Sequence, residues 1–140
     1  MGSIPRTSRD GRNRPAKILL VEDDAPVRAA VRRALLLDGH TVYDAQSSED
    51  AMLLWAQHAG AFDCVVSDVV MPGLRGPEMV ALLRKDRPEL PVLFMSGYVD
   101  RSHRELVLDA PNTLFLQKPF DPNQLAAAIA ELRRGDDHTS

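Results

Sequence analysis

The stretch Lys17-Ile18-Leu19-Leu20-Val21 runs directly into Glu22-Asp23-Asp24. A short, continuous apolar run that stops at a group of acids reads as a strand buried on both faces, and such strands occupy the middle of parallel sheets. Outward from it, residues from about Pro26 to Asp38 repeat apolar side chains at Val27, Val31, Ala34 and Leu35, the stripe of a helix, and Gly39 is placed to end it. Thr41 to Ala45 is a second strand, and Ser47 or Ser48 can cap a helix through Ala51, Leu54 and Trp55 to about His58. Phe62 to Ser67 is a third apolar strand ending at Asp68, followed by a Pro/Gly-rich loop and a helix entered at Gly76-Pro77. Pro91 to Ser96 is the fourth strand, about Ser102 to Leu108 a shorter helix, and Thr113 to Gln117 the fifth strand. The last helix has the fullest start signal: Asp121 as N-cap, Pro122 at the first helical position and Gln124 three beyond the cap, with Leu125, Ile129 and Leu132 as its apolar stripe. Strand and helix alternating five times predict an α/β fold, an open parallel sheet covered on both faces.

Composition narrows the function classes. A chain of 140 residues, 44% hydrophobic, closes one ordinary core. Its net charge of −3 gives no electrostatic reason to expect nucleic-acid binding. Cys64, the only cysteine, lies inside the run Phe62-Asp63-Cys64-Val65-Val66, so neither a disulfide framework nor a thiolate metal cage is available, and the expected location is a reducing cytoplasm. No uncharged apolar run approaches the ~18 residues of a membrane span. Residues 1–15 set Arg6, Arg9, Arg12 and Arg14 against Asp10 and read as a disordered arm; taking its +3 from −3 leaves about −6 for the remainder. The domain proper is assigned to residues 16–134, and residues 135–140 to a polar C-terminal tail with no output domain after it. His40, His58, His103 and His138 lack metal-ligand spacing, and no Gly-Lys-Ser/Thr follows Gly73 or Gly76 to form a P-loop.

In sheets of this kind ligands bind at the carboxyl ends of the strands. Those ends carry Glu22-Asp23-Asp24 after the first strand, Asp68 after the third, Ser96 after the fourth and Lys118-Pro119 after the fifth. Carboxylates forced together repel one another unless a cation sits among them, and hard oxygen ligands with room for water suit Mg²⁺. A carboxylate can also act as a nucleophile and form an acyl phosphate when a metal and a cationic side chain neutralise the transferring group. Lys118 is the candidate cation, and the Ser96 hydroxyl with backbone N–H groups after Asp68 can hold the remaining phosphoryl oxygens. Taken singly, these residues have ordinary readings as helix caps, a turn residue before Pro72-Gly73 and a solvated lysine. Their joint occurrence carries the chemistry.

Four stretches in this order, each at the end of a strand, resemble the receiver domain of two-component response regulators: Ile18-Leu19-Leu20-Val21-Glu22-Asp23-Asp24, Val66-Ser67-Asp68-Val69-Val70-Met71-Pro72-Gly73, Val92-Leu93-Phe94-Met95-Ser96-Gly97 and Leu116-Gln117-Lys118-Pro119-Phe120. The resemblance covers about residues 16–134 and implies a flavodoxin-like, doubly wound five-stranded sheet of order 2-1-3-4-5 with five helices. It implies that Asp68 is the phosphoacceptor, and that Glu22 and Asp23 hold Mg²⁺ together with Asp68 and the backbone carbonyl of Val70. Lys118 and Ser96 match the family's lysine and responding hydroxyl, Phe115 the aromatic that turns inward on activation, and Pro119 a proline after a cis peptide bond. Gly97, Tyr98 and Val70 are expected to shape loop mobility and water access to the phosphoryl group.

By the same resemblance the domain takes its phosphoryl group from a histidine kinase or a histidine phosphotransfer protein. Activation then shifts a pre-existing equilibrium at the face made by the fourth helix, fifth strand and fifth helix, where partners or a second copy would bind. The domain is expected to catalyse only its own phosphorylation and dephosphorylation, with no direct nucleic-acid or membrane contact. Two other classes compete. A phosphatase of the haloacid dehalogenase type would place its nucleophile after the first strand in an Asp-x-Asp pattern, where this chain has Glu22-Asp23-Asp24. An interaction module that no longer takes phosphate would be expected to lack an acid or the lysine, and none is missing.

Overall fold

The structure, a computed structural model, describes residues 14–97 and 111–138, with side chains through Arg134. Five strands, β1 (Lys17–Val21), β2 (Thr41–Ala45), β3 (Cys64–Asp68), β4 (Val92–Ser96) and β5 (Thr113–Gln117), form one parallel sheet in the order β2-β1-β3-β4-β5. The described helices are α1 (Ala25–Leu37), α2 (Ser48–Gln57), α3 (Gly76–Asp86) and α4 (Pro122–His138). The helix predicted near residues 102–108 and the arm over residues 1–13 lie outside the described residues.

The sheet is apolar on both faces because successive strand residues point to opposite sides. Ile18, Leu20, Cys64, Val66, Leu93 and Met95 pack on one side beneath Val31 and Leu35 of α1 and Leu125, Ile129 and Leu132 of α4. Leu19, Val21, Val65, Val92 and Phe94 pack on the other beneath Ala51 and Trp55 of α2 and Met79, Val80 and Leu83 of α3. Each fully buried aliphatic or aromatic side chain contributes about 1.5–3 kcal/mol, so two such layers hold the sheet between them.

The helix starts follow from local chemistry. Asp24 accepts the Val27 N–H at 3.1 Å and caps α1, which ends where Gly39 takes a φ of +93°. Of the two candidate serines, Ser47 caps α2, accepting the Asp50 N–H at 3.1 Å. Ahead of α4 the Asp121 N–H donates to Gln124 Oε1 and the Gln124 N–H to Asp121 Oδ1, both at 2.8 Å, a reciprocal capping box.

Three boundaries differ from the sequence reading. β3 starts at Cys64; ahead of it Phe62 stacks on Trp55, and Asp63 ties the strand to Lys17, its carboxylate accepting the Lys17 N–H and its own N–H donating to the Lys17 carbonyl, both at 2.7 Å. β4 starts at Val92, because Pro91 has no N–H to pair, although its carbonyl accepts from Val65 at 3.0 Å. α4 runs on to His138, through residues read as tail; a helix already anchored by buried Leu125, Ile129 and Leu132 gains a backbone hydrogen bond with each added residue.

Candidate functional site

Parallel strands bring their carboxyl ends to one rim. Glu22 follows the last residue of β1, and its N–H donates to the Ala45 carbonyl of β2 at 3.0 Å, continuing the ladder one step. Asp68 ends β3 opposite Met95, which sets Ser96 one step further along the neighbouring strand. Lys118 follows β5, and its N–H donates to the Ser96 carbonyl at 2.8 Å. The Lys118–Pro119 peptide is cis, as the resemblance implies.

The side chains converge. Glu22, Asp23 and Asp68 each present a carboxylate oxygen within 4.8 Å of the others, with Glu22 and Asp68 buried and Asp23 exposed. Lys118 Nζ donates to Glu22 Oε1 at 2.6 Å and lies 3.6 Å from Asp68 Oδ2. Burial pushes the Glu22 carboxyl up from its ordinary value, while the Lys118 hydrogen bond and the Asp24 N–H, 3.1 Å from Glu22 Oε2, act against that. The Asp68 charge pushes in the same direction as burial. The ammonium is thus shared between two of three acids, which leaves the cluster with net negative charge. Clustered carboxylates, partly open to solvent through Asp23, are the hard-oxygen donor set that suits Mg²⁺, so the residues present fit that ion.

The other expected residues fall around this centre. Ser96 is buried at the end of β4. Val70, two residues beyond Asp68, is 53% exposed between buried Val69 and Met71. Asp24 is turned away to cap α1. Phe115 is half-buried in β5 opposite Phe94, against the core layer under α2 and α3. Tyr98 lies outside the described residues.

Two residues that support the site carried no signal in the sequence pattern. Arg28 Nη1 donates to the Glu22 carbonyl at 2.8 Å while its Nε lies 3.4 Å from Asp44 on β2, tying the acid-bearing turn to the sheet edge. Gly76, the first residue of α3, donates its N–H to the Val69 carbonyl at 3.0 Å, and a Cβ on it would stand 2.2 Å from the Asp68 carbonyl oxygen. Only glycine lets α3 start this close to the strand that ends in Asp68. In the sequence its place just before Pro77 signals only a helix entry.

A doubly wound sheet with acids, a hydroxyl and a lysine at its carboxyl rim belongs to the class of α/β domains that bind ligands at that rim. Comparison with known proteins resolves the class: the response regulator receiver domain pattern matches residues 18–130, and the chain belongs to that family. It is 42% identical over 123 residues to the sensor kinase CckA of Brucella abortus (strain 2308), covering 87% of this chain and 13% of that protein. It is 41% identical over 117 residues to the response regulator protein FleR of Pseudomonas aeruginosa (strain PAO1), covering 82% and 24%. Among solved structures, a receiver domain protein from Clostridium thermocellum superposes with a TM-score of 0.81 at 25% identity, covering 89% of this chain and 99% of that one. The receiver domain of the hybrid histidine kinase CckA superposes at 0.70 with 33% identity, covering 84% and 98%. The chain spans only 13% and 24% of the length of the two curated relatives. It is a receiver domain of two-component signalling. Among the described residues no helix is long and apolar enough to cross a membrane.

Proposed function

We propose that this receiver domain is a phosphorylation switch in which Asp68 is the phosphoacceptor. The observation that supports this most directly is the Asp68 carboxylate at the end of β3, in one cluster with the carboxylates of Glu22 and Asp23 and 3.6 Å from the Lys118 ammonium. An Asp68 oxygen attacks the phosphorus of a phosphohistidine; the new P–O bond forms as the P–N bond breaks, and the imidazole nitrogen keeps the electron pair and takes a proton from solvent. Glu22, Asp23, Asp68 and the Val70 backbone carbonyl would hold Mg²⁺, which would supply positive charge against the phosphoryl oxygens. Lys118 offsets negative charge at the Asp68 carboxylate, and the Ser96 hydroxyl moves to a phosphoryl oxygen once the group is in place.

The donor is a histidine kinase or a histidine phosphotransfer protein in the cytoplasm, and the domain catalyses no reaction beyond its own phosphorylation and dephosphorylation. Inward rotation of Phe115 and movement of Ser96 then shift the face formed by the helix predicted near residues 102–108, β5 and α4, where a partner or a second copy docks. Acetyl phosphate with Mg²⁺, followed by intact mass, tests the assignment. The parent is expected to gain one phosphoryl group, about 80 Da. The gain is expected to need Mg²⁺ and to vanish in Asp68→Asn; an adduct retained in that variant would move the acceptor elsewhere.

A further inference from the structure

The loop between Asp68 and Gly76 carries the Val70 carbonyl and the N–H groups assigned to the phosphoryl oxygens, so what fixes this loop fixes the site. Its outgoing limb is held by the burial of Val69 and Met71. Its return is held at three successive residues. The Gly76 N–H closes on the Val69 carbonyl at 3.0 Å, and the Arg75 N–H donates to Glu78 Oε1 at 3.0 Å. At Leu74 the hold comes from outside the loop: the hydroxyl of Ser48, a fully buried residue, donates to the Leu74 carbonyl at 2.7 Å across 26 residues of sequence. Ser48 is the first residue of α2 and is not its cap, because Ser47 accepts the Asp50 N–H. A buried hydroxyl next to a serine that already caps the helix is thus used for the loop alone. The first turn of α2 also reaches the loop's exposed bend, with Glu49 Oε2 placed 3.7 Å from where a Cβ on Gly73 would stand.

We propose that Ser48 is a positioning residue for the phosphoacceptor site, through which the start of α2 sets the loop that completes the Mg²⁺ and phosphoryl pocket. The proposal rests on the assignment of Asp68 and its Mg²⁺ site given above. Without the hydroxyl, the Leu74 carbonyl loses its donor and the return limb keeps the Gly76 and Arg75 hydrogen bonds and the packing of Leu74 on the core, so the loop samples geometries in which the Val70 carbonyl is out of place. Partners that orient metal ligands from behind typically alter affinity 10–100-fold when removed.

The test compares Ser48→Ala with Ser47→Ala in the full chain, using NMR-monitored Mg²⁺ titration of the unphosphorylated protein, initial rates with acetyl phosphate across a range of Mg²⁺, and thermal melting. Ser47→Ala removes a helix cap and is expected to lower the melting temperature with the Mg²⁺ affinity of the parent. Ser48→Ala is expected to weaken Mg²⁺ binding about tenfold, with much of the phosphorylation rate recovered at saturating Mg²⁺. If Ser48→Ala does not fold, Ser48→Cys, close in size with a weaker donor, is expected to show a smaller loss in the same direction. Parent Mg²⁺ affinity in the folded Ser48 variant, or an equal loss in Ser47→Ala, overturns the proposal. Failure of the underlying assignment is separable, since the parent itself would then take no phosphoryl group on Asp68.

Discussion

A buried acid beside a lysine is held by opposing effects, and Glu22 is the residue where they meet. Burial works against its charged form and the Lys118 hydrogen bond at 2.6 Å favours it. Removing one partner from such a pair leaves an uncompensated charge, so each residue is part of the reason the other is tolerated. Gly76 shows the same dependence in steric form. In Gly76→Ala the new Cβ would press on the Asp68 carbonyl oxygen at 2.2 Å, a backbone atom that cannot move aside without disturbing the end of β3. We expect Gly76→Ala to lose about 1–3 kcal/mol in a urea titration, the usual cost of forcing an extra methyl into a packed position. A variant as stable as the parent would mean that the start of α3 can shift freely.

At the level of elements, what was legible was what local chemistry decides. The start of α4 could be read because Asp121, Pro122 and Gln124 act within one turn, and both hydrogen bonds of the box are present. Asp121→Ala is expected to cost about 1 kcal/mol and to lower the melting temperature, with a smaller loss for Gln124→Ala. The four site residues at positions 22, 23, 68 and 118 were legible for a different reason: each follows or ends a strand, and parallel strands must bring those ends together. The start of β3 was not, because Phe62 continues the apolar run yet is used to stack on Trp55. Nor could the sequence choose between Ser47 and Ser48, since only the packed loop reveals that one of them is bonded to Leu74. Gly76 and Arg28 were hidden for the same reason, as their partners lie elsewhere in the fold.

For the molecule as a whole, one contribution to acid stability comes from the end of the sheet opposite the site. His40 is buried just ahead of β2, and its Nδ1 accepts the Ala16 N–H at 3.0 Å, which requires that nitrogen to be unprotonated. Burial lowers the His40 pKa from its ordinary 6.5; the Asp38 and Asp63 charges oppose that and Arg133 adds to it. The unfolded chain therefore takes up a proton near pH 6.5, whereas the folded chain does so only at lower pH. Stability from this residue is intact above that pH and declines as pH falls below it. Urea midpoints measured from pH 7.5 down to about 5.5 should fall, and His40→Asn, whose carbonyl oxygen can still accept the Ala16 N–H, should flatten the fall across the range in which imidazole titrates.

The Lys118 to Glu22 contact joins residues 96 apart, nearly the full span of the domain. During synthesis the acids and Asp68 leave the ribosome well before the lysine does. Asp68 precedes Lys118 by 50 residues, so for that stretch of synthesis the proposed acceptor is present without the ammonium that stands beside it in the fold. On the proposed function, competence for the signal therefore arrives together with the strand that completes the sheet.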